Sequence, residues 1–201
     1  MDIKTVGVLG AGSMGSGIAQ VAAQSGYNVI MRDIEQAFVD RALKGIDKFL
    51  SKSVEKGKIT ADDKNATIGR IKITTKMEDL KDSDIVVEVV FEDLDLKKKM
   101  FKELDELTRK DIILATNTSS MSITEIATAT QRQDKVVGMH FFNPVPLMRL
   151  VEVIRGYNTS DETVATAMDL SRKFKKEPIE VKKDIPCFVV NRLMMPHFIE
   201  A

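Results

Sequence analysis

The residue best placed by type and position to move a proton is His140, one of only two histidines in 201 residues. It ends an apolar run, Val136 to Met139, and is followed at once by an Asn143-Pro144 break. If that run is a strand of an open α/β sheet, its carboxyl end faces the ligand crevice, where a catalytic base is expected. Twelve residues on, Glu152 interrupts Leu150-Val151-Glu152-Val153-Ile154. A carboxylate among apolar strand residues is costly to bury unless something pairs with it. In a hairpin the two side chains can lie side by side, the carboxylate holding one ring nitrogen so that the other acts as a base. A satisfied structural histidine beside a glutamate turned to solvent fits the same residues.

A second constellation is Gly10-Ala11-Gly12-Ser13-Met14-Gly15, between the apolar run Thr5 to Leu9 and a helical stretch containing Ile18, Ala19, Val21 and Ala22. Glycines at this spacing allow a tight turn, close approach of backbone to a pyrophosphate and close packing of helix on strand. Amides at the helix N-terminus then attract the phosphates. Asp33 ends the next strand, eighteen residues past Gly15, where a carboxylate can accept both ribose hydroxyls of an adenosine and repel a 2′-phosphate, favouring NAD over NADP. Arg32 beside it could instead pair with such a phosphate, which keeps NADP possible. The plainer alternative is a glycine-rich turn of an unrelated α/β protein, with Asp33 capping a helix.

A third cluster, Asn117-Thr118-Ser119-Ser120, follows Ile112 to Thr116. Its amide and hydroxyls can bond a substrate oxygen or a nicotinamide, or serve as an ordinary polar loop before Ser122.

Positioning these groups requires a sheet. Short β-branched runs at Thr5–Leu9, Asn28–Arg32, Ile71–Thr74, Ile85–Val90, Ile112–Thr116 and Val136–Met139 alternate with longer amphipathic stretches, which predicts a mostly parallel, doubly wound α/β sheet with helices on both faces. The most apolar runs read as central strands. Between Val136–Met139 and Leu150–Ile154 the crossover is too short for a helix, so a hairpin and an antiparallel edge are expected. Glu35–Val54 places Phe38, Ala42, Ile46, Phe49 and Leu50 near one helical face. Thr60 with Asp63, and Ser122 with Glu125, read as helix starts. Ser160–Phe174 reads as a helix and Ile179–Val181 as a last strand. From Val189 an apolar helix (Val190, Leu193, Met194, Met195, Phe198, Ile199) runs towards Ala201 without a later partner.

Thirty basic and thirty acidic residues cancel. No global field collects nucleic acid or an anionic membrane, so an anionic ligand must be caught locally. The single cysteine, Cys187, excludes an internal disulfide, and Met1-Asp2-Ile3-Lys4 is not a secretion signal, so a cytoplasmic setting is expected. No run approaches the ~20 apolar residues of a membrane span. No metal site is expected.

Together the glycine turn, Glu92 before Leu94 and Lys97, Asn117 to Ser120, Met139-His140-Phe141-Phe142-Asn143-Pro144-Val145-Pro146, Leu150 to Val153 and Phe188-Val189-Val190-Asn191-Arg192 resemble the 3-hydroxyacyl-CoA dehydrogenase family, in particular its bacterial 3-hydroxybutyryl-CoA members. The resemblance implies a Rossmann-like dinucleotide-binding domain over residues 1–185, and in 186–201 the first helix of an all-helical substrate and dimerisation domain whose remainder is absent. It implies oxidation of an L-3-hydroxyacyl-CoA by NAD, or the reverse reduction of acetoacetyl-CoA, in butanoate and fatty acid metabolism. His140 is then the base, Glu152 its partner, and Ser119 and Asn191 bond the substrate oxygen. Cofactor positions fall on Gly10, Gly12, Ser13, Met14, Gly15, Asp33, Glu92, Lys97, Asn117 and Asn143. CoA contacts fall on Lys52 and Lys56, in a basic stretch with Lys58 that reads equally as a solvated helix end. The partner is an acyl-CoA, with a homodimer expected for the full-length family. Cys187 stands where the family usually has Gly, so the turn there is expected to be altered. The rival reading is a catalytically weak or silent NAD-binding module.

Overall fold

A computed structural model describes residues 2–200. Met1 and Ala201 lie outside the described residues, as do the side chains of Phe198 and Ile199. Eight strands form one sheet: β1 Thr5–Leu9, β2 Asn28–Arg32, β3 Ile71–Thr74, β4 Ile85–Glu88, β5 Ile113–Thr116, β6 Val136–Phe141, β7 Leu150–Ile154 and β8 Glu177–Val181. Among the described residues seven α-helices accompany them: α1 Ser13–Gln24, α2 Gln36–Glu55, α3 Ala61–Gly69, α4 Leu94–Leu107, α5 Ile123–Ala127, α6 Asp161–Lys173 and α7 Val190–Glu200. The spatial order is β3-β2-β1-β4-β5-β6-β7-β8. The first six strands are parallel and have the doubly wound order, whose direction of winding reverses between β1 and β4.

The period-2 alternation of each strand divides the core into two layers. Val6, Val8, Ile85, Val87, Ile113, Ala115, Val137 and Met139 pack with residues of α1, α2 and α6. Leu9, Val86, Leu114, Val136 and Ile154 pack on the other face with Phe101, Leu104, Ile123 and Ile126. Burying a side chain of this size on either face stabilises by about 1.5–3 kcal/mol.

The sequence-based boundaries shift in ways that physics explains. β4 stops at Glu88 rather than Val90, because the Glu88 carboxylate accepts the Val90 amide and turns the chain. β6 runs on to Phe141, so His140 lies within the ladder, one residue from its end. β7 is antiparallel to β6, which gives the expected antiparallel edge, and β8, beginning at Glu177, adds parallel to β7, so this edge has two strands. In α2 the buried stripe is Val39, Ala42, Ile46 and Leu50. Phe38 is displaced from it and lines a cleft, while Phe49 is exposed.

Caps fix the helix starts. Thr60 and Asp63 exchange bonds in a full capping box at α3, and Ser122 accepts from the Glu125 amide at α5. No comparable signal in the sequence marks the C-terminal end of α4. There Arg132, nearly fully buried, bonds the Asp105 carboxylate at 2.6 Å and the carbonyls of Asp105, Thr108 and Arg109. A guanidinium so placed satisfies helix-end carbonyls that would otherwise be buried unpaired.

The turn into α7 has a backbone conformation that suits glycine better than cysteine. Cys187 has φ 64° and Phe188 φ 52°, both in the left-handed region that disfavours a side chain at Cβ. Cys187→Gly is therefore expected to raise the unfolding free energy by about 1 kcal/mol in urea denaturation. An unchanged or lowered midpoint would show that the turn carries no such strain.

Candidate active site

Antiparallel register does the first part of the assembly. Gly138 pairs with Ile154, Met139 with Val153, His140 with Glu152 and Phe141 with Val151. Directly opposed residues have Cβ atoms about 4.5–5.5 Å apart, close enough for an imidazole and a carboxylate to bond. His140 Nδ1 lies 2.7 Å from Glu152 Oε2. Two residues back, Gly138 leaves room for its cross-strand partner: a Cβ there would meet Ile123 and Ile154 at 2.9 Å.

Glu152 is 0 % exposed and His140 6 %. The second carboxylate oxygen of Glu152 accepts the amides of Val189 at 3.0 Å and Val190 at 2.9 Å, at the start of α7. Burial raises the Glu152 pKa, but the bonds from His140, Val190 and Val189 outweigh it, and the group ends below its ordinary value. Glu152 is thus held as an anion. An anionic acceptor keeps the proton of the imidazole on Nδ1 and leaves Nε2 with its lone pair. Phe142 and Phe188 flank the ring at 4.5 and 5.8 Å between centroids.

A cleft of about 980 Å³ opens at the carboxyl ends of β1, β2 and β4. Gly10, Gly12, Ser13, Met14, Asp33, Phe38, Glu92, Lys97 and Asn117 are among its walls. Gly10 has φ +114°, and a Cβ on it would sit 2.6 Å from the Val89 carbonyl. Gly15 lies beneath, where a Cβ would fall 1.9 Å from the Gly10 carbonyl. At Gly12, which precedes α1, nothing lies within 4 Å of the missing Cβ, and the helix has no side-chain cap. Open backbone amides and a cradle that a side chain would fill suit a pyrophosphate. Asp33 holds the turn from across β2, accepting the Ala11 amide at 2.6 Å and the Ile34 amide at 2.7 Å. It does not cap α2, whose N-cap is Glu35. Arg32 is turned to the Thr75 carbonyl, 3.3 Å from Nε.

The cleft ends at Asn117, whose Oδ1 accepts the Phe141 amide at 2.9 Å and so ties it to the strand of His140. Beyond it, Ser119 and Glu92 meet: Glu92 Oε1 accepts the Ser119 amide at 2.8 Å and its hydroxyl at 3.3 Å, while Oε2 accepts Thr118 Oγ1 at 2.9 Å. Asn191 Nδ2 donates to the Ser119 carbonyl at 3.2 Å. Asn143 is exposed just past β6, before a cis bond to Pro144. Lys52 and Lys56 stand apart from this group, exposed at the far end of α2. Gly45 is the last α2 residue in the cleft wall, roughly 10 Å of helical rise before Lys52.

Sequence reading passed over Glu88. It is 0 % exposed at the end of β4, accepting from Lys97 Nζ at 2.8 Å, the Val90 amide at 2.7 Å and Thr116 Oγ1 at 2.7 Å. Lys97 is 1 % exposed and also reaches the Val90 carbonyl at 3.3 Å and Glu92 at 3.5 Å. The signal that exposed Glu152, a carboxylate inside an apolar run, was present in Val86-Val87-Glu88-Val89-Val90 too. Among the described residues no group of three His, Cys, Asp or Glu is placed to hold a metal, and no helix is long and apolar enough to cross a membrane.

Because the folded-state pKa of Glu152 is depressed, the stability it contributes is complete above its ordinary value of 4.5 and is lost as pH falls through the folded value. The stability gap between this protein and Glu152→Gln is therefore expected to narrow in thermal melts as pH falls through the carboxylate range. A gap constant over that range would show that Glu152 titrates alike in both states.

The family model for the NAD binding domain of 3-hydroxyacyl-CoA dehydrogenase matches residues 5–185. A 3-hydroxybutyryl-CoA dehydrogenase of Clostridioides difficile is 50% identical over 194 residues, which are 96% of this chain and 69% of that protein. A probable 3-hydroxybutyryl-CoA dehydrogenase of Bacillus subtilis (strain 168) is 47% identical over 201 residues, 100% of this chain and 70% of that one. Among solved structures, (S)-3-hydroxybutyryl-CoA dehydrogenase PaaH1 from Ralstonia eutropha has a TM-score of 0.97 at 48% identity, with 99% of this chain and 70% of that chain covered. The fold, the glycine turn and the matched span agree: the chain belongs to the 3-hydroxyacyl-CoA dehydrogenase family.

Proposed function

We propose that this chain interconverts an L-3-hydroxyacyl-CoA, with 3-hydroxybutyryl-CoA as the reference substrate, and the corresponding 3-ketoacyl-CoA. The observation that carries the proposal is the buried His140–Glu152 pair, 2.7 Å apart, at the carboxyl edge of the sheet beside a dinucleotide-shaped cleft. Bound in that cleft, NAD supplies the hydride acceptor, and NADH the donor for the reverse reaction. Gly10, Gly12, Ser13, Met14 and Gly15 hold the pyrophosphate, Asp33 the adenosine ribose, and Glu92, Lys97, Asn117 and Asn143 the nicotinamide half.

The protein's own part is proton transfer and orientation. Nε2 of His140 takes the proton of the substrate hydroxyl as the C–H bond at the same carbon breaks, and the resulting imidazolium faces the Glu152 anion. A positioned base of this kind contributes typically 10²–10⁴-fold. The second N–H of the Asn191 amide, and Ser119 Oγ once its proton turns from Glu92, bond the substrate oxygen, whose negative charge grows in the direction of reduction. Lys52 and Lys56 serve the CoA phosphates from the end of α2. The 1–185 segment forms the dinucleotide-binding domain, in line with the 5–185 match, and 186–201 open the substrate and dimerisation unit. The setting is cytoplasmic, in butanoate and fatty acid metabolism, with a homodimer as the working assembly and no nucleic acid or membrane partner.

NADH consumption with acetoacetyl-CoA on this 201-residue chain tests the reading directly. Turnover is expected in the parent, and His140→Gln should lower kcat by about 10²–10⁴-fold while NADH affinity stays within about twofold. Equal loss of both would contradict the assigned role, and intact NADH binding without turnover in the parent would reject the reaction. Titration should also show tighter binding of NADH than of NADPH, because Asp33 repels a 2′-phosphate; equal affinities would remove Asp33 from the ribose.

A further inference from the structure

Between β8 and α7 the chain passes the loop that carries Ser119, and three separate contacts join the two segments. Asp184 accepts Ser122 Oγ at 2.7 Å, the Ile123 amide at 3.1 Å and the Thr124 amide at 2.7 Å. The Cys187 amide donates to the Ser120 carbonyl at 3.4 Å, and Asn191 Nδ2 to the Ser119 carbonyl at 3.2 Å. Reading outward from Asp184, the partners therefore run Ser122–Thr124, Ser120, Ser119, in reverse order to the chain. Of the three contacts, only the first is an ionised acceptor with three donors, and charge-assisted bonds are roughly twice as strong as neutral ones. The other two are single neutral bonds at long distances.

We infer that Asp184 is a positioning residue: its carboxylate sets the register of segment 184–191 against loop 117–124, and so brings the Asn191 side chain to Ser119. Further along the segment Phe188 is buried beside His140, but it makes no polar contact with loop 117–124. Lys182 and Lys183 are exposed, and Cys187 and Phe188 sit in left-handed turn conformations that need external support. Glu152 fixes the start of α7 from the other side through Val189 and Val190. Asp184 and Glu152 thus hold the two ends of a turn whose far side presents Asn191. The consequence for chemistry rests on the proposed roles of Ser119 and Asn191 at the substrate oxygen. A misplacement of about 1 Å in such a group can cost on the order of 100-fold in rate.

Asp184→Ala removes all three acceptor contacts, and Asp184→Asn keeps one neutral carbonyl oxygen for the Thr124 or Ile123 amide. The readout independent of turnover is the side-chain amide of Asn191 in nitrogen-15 NMR spectra. In the parent its protons should exchange slowly, and in Asp184→Ala they should move towards the shifts and exchange of an exposed asparagine, with Asp184→Asn between. Kinetically, kcat with acetoacetyl-CoA is expected to fall about 10- to 100-fold in Asp184→Ala while NADH affinity changes by less than about twofold. Thr60→Ala, which breaks the α3 capping box far from this loop, should leave both unchanged. Should Asp184→Ala not fold, Asp184→Asn carries the same comparison with smaller shifts. Unmoved Asn191 signals in a folded Asp184 variant, or losses of kcat and NADH affinity in equal measure, would overturn the inference. Shifted Asn191 signals in Asp184→Ala, where the parent shows no turnover, would uphold it and reject the reaction assigned above.

Discussion

A carboxylate with no exposure to water survives inside a protein only if donors replace the water it has lost, and Glu152 is such a group. Its two oxygens receive three donors from two directions: the imidazole of His140 from the neighbouring strand, and the amides of Val189 and Val190 from the start of α7. Removing one member of a buried charged arrangement typically costs about 3–5 kcal/mol, so the groups are mutually enforcing. The ring orientation, the entry of α7 and the charge of the glutamate are one requirement met at one place. The proton-transfer role proposed for the site leans on it.

The opposite wall of the site repeats the device with a cation in the middle. Glu88 at the end of β4 holds Lys97, and Lys97 reaches forward to Glu92, which in turn gathers Thr118 and Ser119. The polar chain thus runs from a buried strand end to the loop proposed to meet substrate. Between the two walls Asn117 bonds Phe141 and keeps β5 and β6 in fixed relation at the rim. The positions of His140 and Glu152 are therefore set by two paired strands, while the turn into α7 at Cys187 and Phe188 carries left-handed backbone.

Legibility in the sequence followed the range of the physics involved. The strands, the glycine turn and the caps at Thr60 and Ser122 are local patterns, and they appeared with boundaries off by one or two residues. The pairing of His140 with Glu152 was also within reach, because a short connection between two apolar runs allows a hairpin. The histidine alone could not show whether the glutamate meets it; the register places the two side by side. Long-range charge partners were not legible. Asp184 capping a loop 60 residues away, Arg132 closing the end of α4 and Lys176 reaching the Val145 and Met148 carbonyls all look like solvated charges in a linear reading. The parallel addition of β8 was missed for a related reason, since its Glu177-Pro178-Ile179-Glu180 pattern shows an edge strand without showing which partner it joins.

The most direct test of the central claim is the tautomer of His140, read from the nitrogen-15 shifts and ring couplings of the neutral imidazole. With Glu152 ionised and bonded to Nδ1, the proton should reside on Nδ1, leaving Nε2 bare, and Glu152→Gln should abolish that preference. A parent imidazole protonated on Nε2, or one indifferent to Glu152→Gln, would contradict the arrangement on which the account is built.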